Sequence, residues 1–206
     1  MSKKKIVNIA VFASGFGSNF EAIVRAVREG KIKNSRIALL ITDIKDAYVR
    51  QRAKRLGVKE IFISPASYPS KEKYERALYT ILKREKINLI VLAGFMRVVS
   101  PYLISKFKNR IINIHPSLLP AFSGKEAIAR AYEYGVKVTG VTVHIVDEKV
   151  DRGPIIVQEA LSIDPNWSLK RLEKEIHKVE HRLFPQVINY FVSGGVKVKG
   201  RKVKIV

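Results

Sequence analysis

A chain of 206 residues, 47% hydrophobic and 28% charged, is long enough for one large domain with a substantial core, and it has no window of the roughly 18 uninterrupted apolar residues that a membrane helix needs. It contains no cysteine, which excludes disulfides, thiolate metal sites and thiol catalysis. The formal charge of +21, from 39 Lys and Arg against 18 Asp and Glu, must attract polyanions and phosphorylated ligands, so a basic nucleic-acid-binding module is the rival functional class.

The start from Met1 to Lys5 and the apolar run after it look like a secretory signal, but Asn8 interrupts the run and a glycine loop follows instead of a cleavage site. The reading is a first strand in a cytoplasmic protein. Apolar runs of strand length at 7–13, 37–42, 60–63 and 87–93 alternate with helical periods at 19–29, 47–56 and 71–85, which implies βαβ units and a parallel sheet. In the first helix Phe20, Ile23, Val24 and Val27 form one stripe, with Glu21, Arg25, Arg28 and Glu29 opposite. Strands at 110–114, 139–146 and 155–163 and helices at 125–133 and 168–191 follow. The basic cluster 196–204 alternates Val with Lys or Arg as a solvated hairpin face would, and the other basic residues are spread along nearly every segment, which weighs against one nucleic-acid groove. The expected architecture is one α/β domain over residues 1–206, Rossmann-like and doubly wound, with a mostly parallel sheet, helices on both faces and a small C-terminal β-hairpin.

Between the first strand and first helix lies Ala13-Ser14-Gly15-Phe16-Gly17-Ser18-Asn19. Helix N-terminal amides favour an anion there, but Phe20 replaces the third glycine of a dinucleotide fingerprint and no Lys-Ser/Thr ending makes a P-loop. Two readings stay open: a monophosphate cradle from the amides and side-chain donors of Gly17, Ser18 and Asn19, or an ordinary glycine turn with Ser18 as N-cap. Further on, Asn113 and His115 are two apart on a strand and share a face, so their N–H groups could stabilise one oxyanion. The loop Asp147-Glu148-Lys149-Val150-Asp151-Arg152-Gly153-Pro154 could hold a carboxylate beside His115 for proton transfer, or could be a solvated turn. Its ligand set for a metal is poor, and His144 is expected to face the core or a flank. Finally, the buried strand through Gly94 continues as an exposed edge, Met96-Arg97-Val98-Val99, that could line a slot for a flat heterocycle.

Taken together, Ser14 to Asn19, Ala93 to Arg97, Asn113-Ile114-His115-Pro116-Ser117-Leu118-Leu119-Pro120 and Asp151-Arg152-Gly153-Pro154 resemble the folate-dependent formyltransferase family, in order and over almost the whole chain. Within it the Gly-x-Gly-Ser-Asn loop is similar to that of the glycinamide ribonucleotide branch. The resemblance implies Asn113, His115 and Asp151 as catalytic residues. It also implies ribotide binding by Gly17, Ser18, Asn19 and Glu180, and folate binding by Lys71, Met96, Arg97, Val98, Val99, Asn113, Asp147 and Asp151. Relatives often carry arginine at Lys71, and lysine keeps the charge without the bidentate geometry. The activity implied is transfer of formyl from 10-formyltetrahydrofolate, the cosubstrate, to the amine of phosphoribosylglycinamide in purine synthesis, without a metal, by a monomer or homodimer. Formyltetrahydrofolate hydrolysis is the alternative within the family.

Overall fold

The computed structural model describes residues 6–206, so the start Met1 to Lys5, read above as part of a cytoplasmic address, lies outside the described residues. Strands β1 (Val7–Phe12), β2 (Ser35–Thr42), β3 (Glu60–Phe62) and β4 (Leu89–Leu92) alternate with helices α1 (Ser18–Arg28), α2 (Tyr48–Arg55) and α3 (Lys71–Arg84). Helix α4 (Pro101–Lys106), which the apolar periodicity does not reveal, leads into β5 (Ile111–His115). Then follow α5 (Ala127–Tyr134), β6 (Val138–Ile145), β7 (Ile155–Ser162), α6 (Leu169–Val192) and a separate hairpin of β8 (Val196–Lys199) and β9 (Lys202–Ile205).

The main sheet has the order β3-β2-β1-β4-β5-β6-β7 and is parallel from β3 through β5. Strands β6 and β7 are antiparallel, because the 116–137 connection returns the chain at the carboxyl end of β5 instead of carrying it back to the amino end. The expected doubly wound, mostly parallel sheet with a C-terminal hairpin is therefore present.

Alternation along each strand divides the core in two. Ile9, Val11, Val91, Ile112, Ile114, Val141 and Val143 pack with α1, α2 and α6 on one face, while Ala10, Phe12, Leu39, Ile90, Leu92 and Ile111 pack with α3 and α4 on the other. Fully buried aromatic anchors such as Phe20 and Phe184 carry much of this, and truncating either to Ala costs about 3–5 kcal/mol. The second core reaches Ile111 and leaves the same face of β5 and β6, at Asn113, His115, Thr142 and His144, free for polar chemistry.

One expectation for α1 is corrected. Glu21 is buried, not solvent-facing, and accepts from Arg52, Arg25 and Arg55. Helix α2 packs over that side of α1 and brings two of the three cations, which a buried carboxylate requires.

Candidate active site

Strand register sets Phe12 beside Leu92, Leu92 beside Asn113, and Asn113 beside His144. The loops leaving β1 and β4 therefore emerge next to the polar face of β5 and β6. The strand order reverses between β1 and β4, which is where open α/β sheets leave a crevice for ligands.

The loop after β1 is held from both sides. Ser14 N–H donates to the Gly94 carbonyl at 3.0 Å, and the Gly15 carbonyl accepts from Val49 N–H at 3.1 Å. Ser14 Oγ donates to Asp43 at 2.6 Å and accepts from Met96 N–H at 3.0 Å, tying the ends of β1, β2 and β4 together. Phe16 stacks on Tyr48 with Arg52 over both rings, and Arg52 also donates to the Phe16 carbonyl. The N-cap of α1 is Gly17, not Ser18 as expected for an ordinary glycine turn. Its φ of 77° is left-handed, and a Cβ there would lie 2.4 Å from Val49 Cγ2, so glycine is required. No side chain caps the helix, and the first intrahelical bond runs from Glu21 N–H to the Gly17 carbonyl, which leaves the N–H groups of Ser18, Asn19 and Phe20 for a guest.

The Asn19 side chain is buried, 9% exposed, and commits one of its two Nδ2 hydrogens to Glu180 Oε2 at 2.9 Å. Glu180, itself buried on α6, also accepts from His177 Nδ1 at 2.8 Å. That bond raises the His177 pKa against the smaller, opposing effect of burial. Burial lowers the pKa of neighbouring His181, whose ring stacks on His177.

Asn113 and His115 point to the same side of β5, as their spacing requires, and antiparallel pairing sets His144 of β6 directly opposite Asn113. Asn113 Nδ2 is 3.2 Å from His144 Nε2. His144 Nδ1 lies 2.9 Å from the Ile145 carbonyl and must donate to it, so the neutral ring presents Nε2 as acceptor for Asn113. This orients the Asn113 amide. His115 Nε2 donates to the Phe122 carbonyl at 2.9 Å, and its Nδ1 is 3.4 Å from Asp151 Oδ2. Asp151 Oδ1 is 3.7 Å from His144 Nε2, and its Oδ2 accepts the Gly124 N–H at 2.7 Å. His144 Nε2 thus lies within reach of both Asn113 and Asp151.

Asp151 reaches this position through a left-handed backbone, φ 53°, in a loop where a Cβ on Gly153 would meet the Ile145 carbonyl at 1.7 Å. The hairpin supports the loop, since Arg201 donates to the Arg152 carbonyl at 2.8 Å. Burial pushes the Asp151 carboxyl up, but hydrogen bonding at the His144 ring, the Gly124 N–H and the flanking His115 outweigh it and hold the group below its ordinary value. It is a carboxylate at neutral pH. The loop after His115 is held as well: Thr142 Oγ1 donates to the Ser117 carbonyl and accepts from Leu119 N–H and Gln158.

On the other side, Gly94 with φ 76° turns the chain out of β4, so Met96 to Val99 form a loop and not the strand edge expected from the sequence. Met96 and Val98 are 62% and 53% exposed, but Val99 is 6% exposed, packed in the core against α3 and α4. It cannot offer the exposed surface expected of it. Lys71 at the start of α3 lines a cleft with Tyr74, Arg97 and Val98, and the buried Tyr74 hydroxyl has no hydrogen-bond partner. Asp147 accepts from Lys149 N–H at 3.0 Å and so closes its own turn, the bland alternative for that loop.

The structure thus gathers Asn113, His115 and Asp151, joins Asn19 to Glu180, and places Lys71, Arg97 and Val98 on one cleft. Sequence reasoning missed His144, the Phe122 carbonyl and the Gly124 N–H. A signal for His144 existed: Thr142 and His144 alternate with Val141, Val143 and Ile145, so they occupy the opposite, polar face of β6.

Residues 7–188 match the Formyl transferase family. The chain is 45% identical over 193 residues to the phosphoribosylglycinamide formyltransferase of Bacillus subtilis (strain 168), covering 94% of this chain and 97% of that protein. It is 39% identical to the trifunctional purine biosynthetic protein adenosine-3 of Drosophila melanogaster, over 94% of this chain and 14% of that protein. The crystal structure of glycinamide ribonucleotide transformylase 1 from Symbiobacterium toebii superposes with a TM-score of 0.94 at 44% identity, covering 98% of this chain and 94% of that one. With the family matched across most of its length and a relative matched nearly end to end, the chain belongs to the formyl transferase family.

Proposed function

We propose that this chain transfers the formyl group of 10-formyltetrahydrofolate to the amine of phosphoribosylglycinamide. The observation that carries this reading is the polar cluster of Asn113, His115, His144 and Asp151 at the same edge of the sheet as an open helix N-terminus at Gly17 and the exposed cations Lys71 and Arg97. The relative from Bacillus subtilis, similar over nearly its whole length, supports the choice of acceptor.

The amides of Ser18, Asn19 and Phe20, at the positive end of the α1 dipole, take the ribotide phosphate. Glu180, braced by Asn19, faces the rest of the ribotide. Met96 and Val98 supply apolar surface for the folate ring system, while Lys71 and Arg97 suit the carboxylates of its tail. The glycinamide nitrogen attacks the formyl carbon, and Asn113 Nδ2 with protonated His115 stabilises the oxygen as it gains charge. Asp151 accepts the proton leaving the attacking amine, directly or through water. Collapse of the intermediate breaks the bond from formyl carbon to the folate nitrogen, which takes up a proton, and balances the transfer.

The test is to incubate the purified protein with 10-formyltetrahydrofolate and follow tetrahydrofolate with and without glycinamide ribonucleotide. Release that requires the ribotide is expected. Release at the same rate without it would make the protein a hydrolase and overturn the proposal.

A further inference from the structure

A cavity of about 480 Å³ opens at the amino ends of β1, β4 and β5, at the far end of these strands from the site described above. Its volume falls within the range of small-molecule sites, which run from about 300 to 1,000 Å³. Leu89, Phe191, Val196 and Val198 supply apolar wall, the last two from β8 of the C-terminal hairpin. Lys108 and Arg110 supply charge, on either side of Asn109, whose left-handed φ of 55° reverses the chain between α4 and β5. Among the described residues no carboxylate lines the cavity, and neither cation makes a salt bridge or side-chain hydrogen bond. Elsewhere the molecule does pair its cations where acids are at hand, as at Glu21, which holds three arginines.

Two unpaired cations against an apolar, partly aromatic wall match a ligand with the complementary halves. We propose that this cavity is a second binding site, separate from the formyl-transfer site, for a small organic anion with a flat apolar body and one terminal acidic group. The apolar body packs on Phe191 and the hairpin valines, and the acidic group lies between Lys108 and Arg110, where Arg can grip two oxygens at once.

The probe pair is anilinonaphthalenesulfonate, which carries an anion, and phenylnaphthylamine, a neutral compound of similar shape, each titrated by fluorescence into the full-length protein. The wild-type chain should bind one equivalent of the sulfonate saturably. In the double variant Lys108→Ala, Arg110→Ala, both positions exposed, sulfonate affinity should fall at least about tenfold, roughly the 1.4 kcal/mol that a decade represents, while the neutral compound binds as before. Formyl transfer by the double variant, without probe, should match wild type. Sulfonate binding of equal strength in both proteins would assign the dye to another surface and overturn the site, as would the absence of saturable binding to the wild type. Equal losses for sulfonate and neutral probe would overturn the anionic half of the proposal.

Discussion

On the β1 side of the crevice the loop before α1 presents backbone N–H groups, those of Ser18, Asn19 and Phe20. On the β5 side the groups on offer are side chains: Asn113, His115 and His144, aligned by antiparallel pairing, and Asp151 folded over them. Backbone donors at a helix N-terminus suit a ligand of constant charge, such as a phosphate that is bound but not changed. Side chains that can hold or accept a proton suit the atoms whose charge changes during reaction. Substitutions should therefore differ in kind: on the β5 side they should lower kcat, and on the β1 side they should raise the KM for the ribotide and depend on backbone geometry more than on side-chain identity.

The largest effect is expected at Asp151. Asp151→Asn removes the proposed proton acceptor but keeps the shape, and should lower kcat by about 10²–10⁴-fold with ribotide KM little changed. Near-normal turnover in that variant would break the comparison at its centre. Asn113→Ala removes one of the proposed oxyanion donors and should cost about 10²–10³ in kcat, as measured by steady-state rates at saturating substrates. On the other side, Gly17→Ala drives a Cβ into Val49 and requires a left-handed alanine, so ribotide KM should rise about tenfold or more with kcat largely kept. The double variant Gly17→Ala, Val49→Ala should recover part of that loss, whereas Ser18→Ala should barely alter KM; a Ser18→Ala effect equal to that of Gly17→Ala would show that side chains, not amides, make the cradle.

A smaller effect is expected at Arg201, which touches neither substrate site. Arg201→Ala loses one bond to the loop carrying Asp151, worth about 0.5–1.5 kcal/mol, and should lower kcat severalfold. The smallest is a pH effect on stability. His177 has a raised pKa through Glu180, so its stabilising contribution is complete below the unfolded imidazole value, about 6.5, and is lost as pH rises through the folded value. Thermal melts of His177→Gln and wild type should differ more near pH 6 than near pH 8, and a gap that widens with pH would contradict the Glu180 pairing.

The apolar runs of strand length, the helical stripes and the breaker residues between them make the layered α/β architecture legible in the chain itself, because local hydrophobic patterning follows from which faces are buried. The pair Asn113 and His115 is legible for the same reason, as two residues on one face of one strand. Glu21 and Val99 are misread from local pattern because each depends on a neighbour distant in sequence: α2 covers the first, and α3 with α4 the second. Periodicity within a segment does not say where those helices pack.

What the sequence alone determined was the set of groups capable of chemistry and their order along the chain. Tertiary structure decided which of them meet. The antiparallel return of β6 brought His144 opposite Asn113, and a left-handed turn at Asp151 carried its carboxylate across to both histidines. It also joined the Asn19 side chain of α1 to Glu180 of α6. The physical reason is separation along the chain. Asn113 and His144 are 31 residues apart and Asn19 and Glu180 are 161, so these contacts arise only once the cores of the two faces have packed and brought distant elements into register.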